Sequence, residues 1–559
     1  MDLNYYEKIR QGGDIRKNVI ALRDHLKEKI KAEDAALFNE NKALISSLLS
    51  SEDAKTRGAA ARVLGLAGND GDYAVLSEAF EQEQTRFIRP EYLKGMQDLL
   101  KNSQAPEKSL EKAEKWLADL LSMDYASETR KHMLAEQLEL ENLLVMLDGR
   151  SKRNLTGTDY RGEIILITNH LHAQAVAAQL SLFPKTDGQA EAGSLLHGKD
   201  GRTGRLLRGG IQCKGIPLSE ILRERSWSEL MLPLGSAAAT GGPDAAGRPA
   251  DTDGEQMTDT QKAQLLAQEL AEKPLNLLME KLFSGQPPYR YRLELKENHV
   301  RKEKNGKSSS RKEEKQGRIP ASDGRLIQEL ALEFDRLMKG TWLNAPSDYE
   351  AEIRLLEKKD GSFLVMLVPS VLTASRFSYR KDSIAASIAP ANAALCMALA
   401  MPYLKEKADI LDPFCGAGTM LIERAKALPA ANLYGIDIFG EAVEKAKANT
   451  RRAGLPVHYI NRDFFGFQHA YLFDEIVSNL PQVTKGKPEE EIRQLYHRFF
   501  EQAGKYLKER AVLVLYSTQP SFVRNEVRKD LRYVIRKQFL MNEKTGTTLF
   551  VIEYREMEE

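Results

Sequence analysis

Four polar side chains end or follow four successive predicted strands in the last third of the chain. Asp412 ends the apolar run in "ADILDPFCGAGTM", Asp437 ends "LYGID", Asp463 follows "VHYINR", and Asn479 ends "FDEIVSN". In a wound parallel sheet the carboxyl ends of the strands lie along one edge, where ligands bind. Carboxylates and an amide gathered there can hold the hydroxyl and amino groups of a nucleoside by hydrogen bonds.

Asp412 begins a glycine-bearing turn that leads into a predicted helix. Gly416 and Gly418 let the backbone approach a ligand closely, and the helix presents free N–H groups to negative charge. The turn lacks both the Gly-Lys-Ser/Thr ending of a phosphate loop and the spacing of a dinucleotide GxGxxG motif. A tight strand-to-helix turn without a ligand is the alternative interpretation.

Asp437 and Asp463 suit the two ends of a nucleoside. A carboxylate after the second strand can accept both ribose hydroxyls, and Asp463 can accept from an exocyclic amine such as that of adenine, with Phe464 near enough to face the ring. Taken alone, each Asp is more often a helix cap or a turn former. Three acids at three successive strand ends favour a binding site.

Four motifs resemble those of the amino-methylating branch of class I S-adenosylmethionine-dependent methyltransferases. In chain order they are Asp-Pro-Phe-Cys-Gly-Ala-Gly-Thr (412–419), Gly-Ile-Asp (435–437), Arg-Asp-Phe (462–464) and Asn-Leu-Pro (479–481). Within that branch the Asn-Leu-Pro form is similar to the THUMP-domain guanine-N2 RNA methyltransferases. The resemblance implies S-adenosylmethionine as cofactor, no metal, and transfer of a methyl group to the N2 amine of a guanosine in tRNA or rRNA.

The same resemblance implies a role for each motif residue. Asn479, Leu480 and Pro481 would hold the target amine. Ser387 and Pro390 belong to "RFSYRKDSIAASIAPANAALCMALA" (376–400), which resembles the family's segment before the sheet. The implied cofactor contacts are Ser387, Pro390, Asp412, Pro413, Phe414, Cys415, Gly416, Gly418, Thr419, Asp437, Ile438, Asp463, Phe464 and Asn479.

The chemistry explains why an Asn-Leu-Pro corner would be wanted. Methyl transfer from a sulfonium leaves a neutral thioether, so the main requirement is in-line placement of the acceptor. The Asn479 carboxamide oxygen and a backbone carbonyl near Leu480 or Pro481 can accept both hydrogens of the amine and direct its lone pair at the methyl group. Proline holds that carbonyl in a fixed direction.

Gln482 departs from the family pattern, because the position after the proline is usually an aromatic residue that stacks on the flipped base. Such stacking contributes roughly 1–3 kcal/mol, and Phe464, Phe465 and Tyr496 are candidate substitutes. The departure motivates one alternative, an RNA-binding or assembly protein that binds S-adenosylmethionine without transferring methyl groups. A second alternative, a DNA adenine-N6 methyltransferase, predicts an Asn/Asp-Pro-Pro-Tyr/Phe signature and a separate DNA recognition domain, and neither is recognised in the sequence.

Periodicity divides the chain into three predicted domains. Residues 1–150 are helical. The segment "TRGAAARVLGLAGNDGDYAVLSEAFEQ" resembles one HEAT-type helical hairpin, and a solvated helical bundle is the alternative; in either case this part is predicted to contact a protein partner or the rest of the chain. Residues 160–370 are an α+β region that resembles a ferredoxin-like/THUMP-like RNA-binding unit. Residues 371–559 alternate strands and helices, which predicts a Rossmann-like α/β methyltransferase domain.

Three stretches are predicted to be flexible insertions, at about 184–208, 235–258 and 299–320. The last contains "HVRKEKNGKSSSRKEEKQGR", for which a solvated loop and a basic arm touching phosphates are both open.

The composition excludes several classes of protein. The chain has 559 residues, 42% of them hydrophobic, with three cysteines and a net charge of +1. No apolar run is long enough to span a bilayer, the amino terminus lacks a secretory signal, and three cysteines cannot form a disulfide framework. The expected location is the cytoplasm. Because the net charge is near zero, any nucleic-acid surface must be local.

Overall fold

The computed structural model describes most of the chain. It covers residues 5–28, 32–101, 106–123, 130–147, 153–184, 191–238, 258–285, 287–296, 321–346, 349–358, 360–385, 387–484 and 486–556. The insertion predicted at 299–320, and most of that predicted at 235–258, lie outside these residues. The chain folds as two compact units, Met1–Thr156 with Ala237–Phe363, and Gly157–Ser236 with Leu364–Glu559.

The helices are α1 (Tyr5–Arg10), α2 (Ile15–Glu28), α3 (Ala32–Ser47), α4 (Ala54–Ala67), α5 (Asp70–Gln82), α6 (Arg89–Leu100), α7 (Ser109–Leu121), α8 (Arg130–Leu147), α9 (Ala173–Gln179), α10 (Leu218–Arg223), α11 (Asp259–Ala271), α12 (Leu275–Leu282), α13 (Ala321–Met338), α14 (Ser370–Arg376), α15 (Pro390–Ala400), α16 (Thr419–Ala427), α17 (Gly440–Ala453), α18 (Glu489–Ala503) and α19 (Pro520–Lys529). The strands are β1 (Ile164–Ile167), β2 (Phe183–Pro184), β3 (Leu195–His197), β4 (Thr203–Leu207), β5 (Gly210–Lys214), β6 (Glu229–Ala237), β7 (Tyr289–Lys296), β8 (Trp342–Asn344), β9 (Ala351–Glu357), β10 (Phe363–Pro369), β11 (Ala408–Asp412), β12 (Ala430–Asp437), β13 (His458–Asn461), β14 (Phe473–Asn479), β15 (Leu507–Ser517), β16 (Tyr533–Asn542) and β17 (Thr547–Tyr554).

The first unit begins with the helices α1–α8, which confirms the predicted helical amino terminus. The predicted hairpin is formed by α4 and α5, and the Asn69 side chain caps α5 by accepting from the Gly71 N–H. Helix α4 packs closely on α6, because Gly65 lies against the Gly95 backbone and a Cβ there would overlap it. Elsewhere in this unit β7 pairs in parallel with β8 and β9.

The prediction of a flexible insertion at 184–208 is wrong for residues 195–207. These residues form β3 and β4, which pair antiparallel with each other and continue into β5. Leu196 and Leu206 are buried beneath this ladder, so each strand has an apolar face despite its short length. Glycines and charged residues around them obscured the alternation in the sequence.

The second unit contains a seven-stranded sheet in the order β13-β12-β11-β14-β15-β17-β16. Strands β11–β15 are parallel, whereas β17 runs antiparallel to both β15 and β16. The chain leaves β11 toward β12 on one side and returns to β14 on the other. This topological switch point is where open α/β sheets bind ligands.

Residues 157–236 belong to the same unit as this sheet, and charged side chains join them to it. The Arg225 guanidinium makes two hydrogen bonds to Glu423 in α16, at 2.7 and 2.8 Å. Tyr379 donates to the same carboxylate at 2.7 Å. The stretch predicted as one middle domain, 160–370, therefore contributes to both units, because its first part packs with the carboxyl-terminal sheet.

In the ranges that the structure describes, every helix is too short or too polar to cross a lipid bilayer.

A buried ion pair supports the strand that carries Asn479. Arg424 in α16 and Glu475 in β14 have fully buried side chains, and two hydrogen bonds of 2.7 and 2.9 Å join them. Arg424 also donates to the Leu428 and Lys405 carbonyls, and Glu475 accepts from the Lys405 N–H. The pair thus ties α16 and the approach to β11 to the centre of β14.

Replacing Glu475 with Gln should lower the free energy of unfolding by about 3–5 kcal/mol, because the Arg424 charge would stay buried without a counter-charge. Urea denaturation followed by circular dichroism measures the change. The matched control is Lys508→Ala, which breaks partly exposed pairs with Asp409 and Asp474 and should cost less than about 1 kcal/mol. Equal losses in the two variants would contradict this account of the buried pair.

Candidate active site

A cavity of about 360 Å³ opens at the carboxyl edge of the seven-stranded sheet. Its walls come from the ends of β11, β12 and β14, from the segment after β13, and from one face of α18. It is lined by Ile384, Ser387, Ile388, Asp412, Pro413, Phe414, Cys415, Gly416, Ala417, Thr419, Met420, Asp437, Ile438, Phe439, Arg462, Asp463, Phe464, Phe465, Asn479, Leu480, Pro481, Gln482, Lys487, Glu491, Leu495 and Arg498. The volume is in the range of small-molecule sites.

The Asp412 carboxylate joins the first and fourth strands at this edge. Its Oδ1 accepts from the Ser478 hydroxyl at 2.7 Å and from the Phe414 N–H at 3.1 Å. Burial raises the pKa of Asp412 to about 7, and the nearby Asp437 carboxylate adds to the shift, while the two hydrogen bonds oppose it. The carboxyl group is therefore partly protonated near neutral pH.

The turn after Asp412 has a backbone that needs glycine at two positions. Gly416 and Gly418 have φ values of +51° and +80°. A Cβ on Gly418 would overlap the Tyr459 hydroxyl. Cys415 is buried inside this turn and also lines the cavity, and burial raises the pKa of its thiol well above the ordinary value.

Asp437 and Asp463 form two similar turns. The Asp437 carboxylate accepts from the Phe439 N–H at 2.9 Å and from the Gly416 N–H at 2.9 Å. The Asp463 carboxylate accepts from the Phe465 N–H at 3.1 Å. Each acid thus closes an Asx turn that directs the aromatic residue two positions later. Both acids keep further acceptor capacity, because an ionised carboxylate has about four lone-pair sites.

The Asn-Leu-Pro corner is held by hydrogen bonds on both sides. The Leu480 N–H donates to the Tyr516 carbonyl at 2.9 Å, and the Tyr496 hydroxyl donates to the Pro481 carbonyl at 3.1 Å. Tyr496 also shares a 2.9 Å hydrogen bond with the Ser517 hydroxyl. The corner therefore has a fixed direction at the end of β14.

Almost all of the predicted site residues line the one cavity. Asp412, Asp437, Asp463 and Asn479 all lie in its wall. Gly418 instead begins α16, and Pro390 occupies the first turn of α15, so these two shape the elements beside the cavity rather than its surface.

The part of the wall that comes from α18 was not predicted from the sequence. Glu491, Leu495 and Arg498 follow an i, i+4, i+7 spacing, so they share one face of the helix, and all three line the cavity. That spacing was visible in the sequence, but nothing there showed which face met the site. Phe439, directly before α17, and Lys487, shortly before α18, also line the cavity and were not predicted.

The candidate substitutes for the missing aromatic at Gln482 differ in position. Phe464 and Tyr496 are buried, and Tyr496 does not line the cavity. Phe465 is half-buried in the cavity wall, with the Arg498 guanidinium 3.8 Å from the centre of its ring. Within the described ranges, no cluster of His, Cys, Asp or Glu side chains has the arrangement of a metal site.

Comparisons with known proteins agree with this geometry. Residues 378–549 match the family described as RMKL-like, methyltransferase domain. The chain is 37% identical over 87 residues to a ribosomal protein L11 methyltransferase from Dictyoglomus thermophilum, covering 15% of this chain and 28% of the relative. A second such enzyme, from Thermotoga maritima, is 26% identical over 165 residues, covering 28% and 59%.

Among solved structures, TrmN from Thermus thermophilus is 16% identical with a TM-score of 0.45, covering 70% of this chain and 99% of TrmN. The chain spans between 28% and 59% of the two curated relatives' own length. The match over 378–549 coincides with the sheet and cavity described above. Residues 378–549 are similar to the RMKL-like methyltransferase domain and have the class I methyltransferase fold, and the cofactor is S-adenosylmethionine.

Proposed function

We propose that this chain is an S-adenosylmethionine-dependent RNA methyltransferase that modifies the exocyclic N2 amine of a guanosine in tRNA or rRNA. The observation that carries the proposal is the position of Asn479, Leu480 and Pro481, which line the same cavity as Asp412, Asp437 and Asp463. A corner of this kind suits an amine acceptor, and the three acids suit a nucleoside-containing donor.

The residues present fit the cofactor. Asp437 and Asp463 lie on successive strand ends with acceptor capacity for ribose hydroxyls and an exocyclic amine. Ile438 is 59% exposed at the cavity and offers an apolar face to a purine ring. When bound, the cofactor supplies a methyl group on a sulfonium centre. The glycine turn after Asp412 would take the methionine part, because its backbone can approach closely.

The Asn479 corner would position the acceptor amine. The Asn479 carboxamide oxygen accepts one amine hydrogen and the Leu480 carbonyl accepts the other, while the Tyr496 hydroxyl occupies one of the two lone pairs of the Pro481 carbonyl and fixes its direction. Holding both hydrogens in fixed directions favours a pyramidal nitrogen whose lone pair faces the methyl group. Tyr496 acts as a positioning residue, because it touches the corner and lies outside the cavity wall.

RNA is the proposed substrate, and we propose that the stretch 160–370 contains the ferredoxin-like/THUMP-like part that grips it. The helical amino-terminal region is the proposed site for a protein partner. The L11 methyltransferases are named for a ribosomal protein. The experiment must therefore distinguish a protein as methyl acceptor from RNA.

A specific observation supports a second candidate, a cofactor-binding RNA-assembly protein without transfer activity. Gln482 lines the cavity directly after the Asn-Leu-Pro corner, where an aromatic ring would be expected to stack on the base. Such a protein would bind S-adenosylmethionine and leave RNA unmodified.

Mass spectrometry of nucleosides from tRNA and rRNA, prepared from cells with and without the protein, tests the proposal. We expect N2-methylguanosine to fall at one position when the protein is absent, and the purified protein to restore it. Cofactor binding by calorimetry without any methyl incorporation into RNA would favour the second candidate, and incorporation into ribosomal protein alone would favour a protein acceptor.

Asn479→Ala should lower kcat by about 10²–10³-fold, because the amine loses a preorganised acceptor. Its cofactor Kd should stay within a few-fold of the original.

Asp437→Ala should instead raise the cofactor Kd by about tenfold to a hundredfold, since hydrogen bonds to a charged group contribute about 1.5–3 kcal/mol. Calorimetry and methyl incorporation measure both. Asn432→Ala, at an exposed position in β12, is the control; a fully active Asn479→Ala enzyme would contradict the assignment.

Cofactor affinity should rise with pH between about pH 5.5 and 7. The pKa of Asp412 is raised to about 7, so its ionised fraction grows across this window, and the ionised form attracts the cofactor's ammonium group more strongly. Calorimetry at several pH values should show at least a roughly threefold increase, and Asp412→Asn should flatten it. A slope that persists in Asp412→Asn would assign the titration to another group.

Tyr496→Phe should reduce kcat by about two- to tenfold, which corresponds to a net hydrogen bond of roughly 0.5–1.5 kcal/mol. The ring stays in the core, so the Tm and the cofactor Kd should change little. Tyr506→Phe, which removes another buried hydroxyl bonded to a backbone carbonyl, is the matched control. Equal kcat losses in the two variants would show that Tyr496 does not act through the Pro481 carbonyl.

A further inference from the structure

Two cation–aromatic pairs lie beside the active-site cavity. The Lys487 ammonium is 5.6 Å from the centre of the Phe439 ring, and the Arg498 guanidinium carbon is 3.8 Å from the centre of the Phe465 ring. All four residues line the cavity. Both cations come from the segment after the Asn-Leu-Pro corner. We call these four residues the cationic rim.

The aromatic residues of the rim are held in place by the acids of the site. The Phe439 N–H donates to Asp437, and the Phe465 N–H donates to Asp463. Phe439 is nevertheless 59% exposed, although burial would stabilise a ring of this size. An exposed ring at the mouth of a cavity, on a backbone position fixed by a hydrogen bond, is suited to contact a planar ligand.

The cations at the cavity have charge available for a ligand. Among the described residues, the side chains of Arg462, Lys487 and Arg498 form no ion pair with a carboxylate. On the same helix as Arg498, Arg493 is paired with Glu489 at 2.7 Å. Glu491 is the acidic side chain of α18 in this wall, so three positive charges face one negative charge beyond the cofactor acids.

We propose that the cationic rim binds the nucleotides that flank the target base in an unpaired RNA segment. The inference rests on the proposed function. Single-stranded nucleic acids are bound by aromatic rings that stack on bases and by cations that contact phosphates. The Arg498 guanidinium lies on Phe465, so its outer face offers a second planar surface for a base. An acidic peptide would use the cations but would leave the exposed Phe439 ring face without a matching partner.

The proposal is tested by measuring the methyl-transfer kinetics of the full chain at several salt concentrations. The substrate is RNA from cells that lack the protein. Lys487→Ala and Arg498→Ala should each raise the KM for RNA about three- to tenfold, with kcat and the cofactor KM within about twofold. Each should also lower the slope of log KM against log[KCl] by about 0.7, the change expected for one lost phosphate contact on a single strand. Arg498→Lys should keep the slope but raise the KM, because the charge remains and the planar surface is lost.

Arg493→Ala is the matched control, because it removes an arginine of the same helix that lies outside the cavity wall. If Lys487→Ala and Arg498→Ala match this control in RNA KM and salt slope, the proposal is overturned. A rise in the cofactor KM with an unchanged RNA KM also overturns it, since the rim would then serve the cofactor.

Binding of a fluorescein-labelled, 12-nucleotide single-stranded RNA, followed by anisotropy with S-adenosylhomocysteine present, separates this proposal from the proposed function. Weaker binding by Lys487→Ala and Arg498→Ala than by Arg493→Ala supports the rim even if the protein transfers no methyl group. Equal binding by all three, with the original chain methylating RNA, overturns the rim and leaves the proposed function in place.

Discussion

The hydrogen bond from Ser478 to Asp412 fixes the geometry on which the candidate site depends. It joins the end of β11 to the end of β14 inside the sheet, at 2.7 Å and away from solvent. Asp412 begins the glycine turn, and Ser478 directly precedes Asn479. The same contact therefore sets the position of the turn relative to the Asn-Leu-Pro corner. Methyl transfer needs its donor and acceptor in line. A fixed distance between the glycine turn and the Asn-Leu-Pro corner therefore matters more than how tightly either segment binds its ligand.

Strand β14 is rigid because it is anchored at several points along its length. Glu475 binds the buried Arg424 near the middle of the strand. Beyond the end of the strand, the Leu480 N–H donates to the Tyr516 carbonyl in β15. The Pro481 carbonyl accepts from Tyr496, which is itself hydrogen-bonded to Ser517 in β15. A buried ion pair is a costly way to gain stability, because removing two charges from water is unfavourable. Its use here is easier to understand as positioning, since it joins three elements beneath the site.

The acids were predictable from the sequence because each one ends or follows a short apolar strand, and parallel strands place such residues on one edge. The contribution of α18 was not predictable, since Glu491, Leu495 and Arg498 reach the cavity only through the packing of a helix distant from β11 in sequence. The strands at 195–207 were missed because pairing between short segments, rather than local pattern, buries Leu196 and Leu206. Long-range packing decided the case of α18, and pairing between neighbouring short strands decided the case of 195–207.

In the proposed function, amine capture and base stacking are separable tasks, and Gln482 lies at the position where they part. Capture as proposed uses the Asn479 carboxamide and the Leu480 carbonyl. Their corner is held by Tyr496 at the Pro481 carbonyl and by the Tyr516 carbonyl at the Leu480 N–H, and neither contact requires an aromatic side chain at 482. Stacking requires a flat surface, and Phe465 with Arg498 forms one elsewhere in the cavity wall. In the proposed function, stacking on the flanking nucleotides would therefore contribute roughly 1–3 kcal/mol without moving the Asn-Leu-Pro corner.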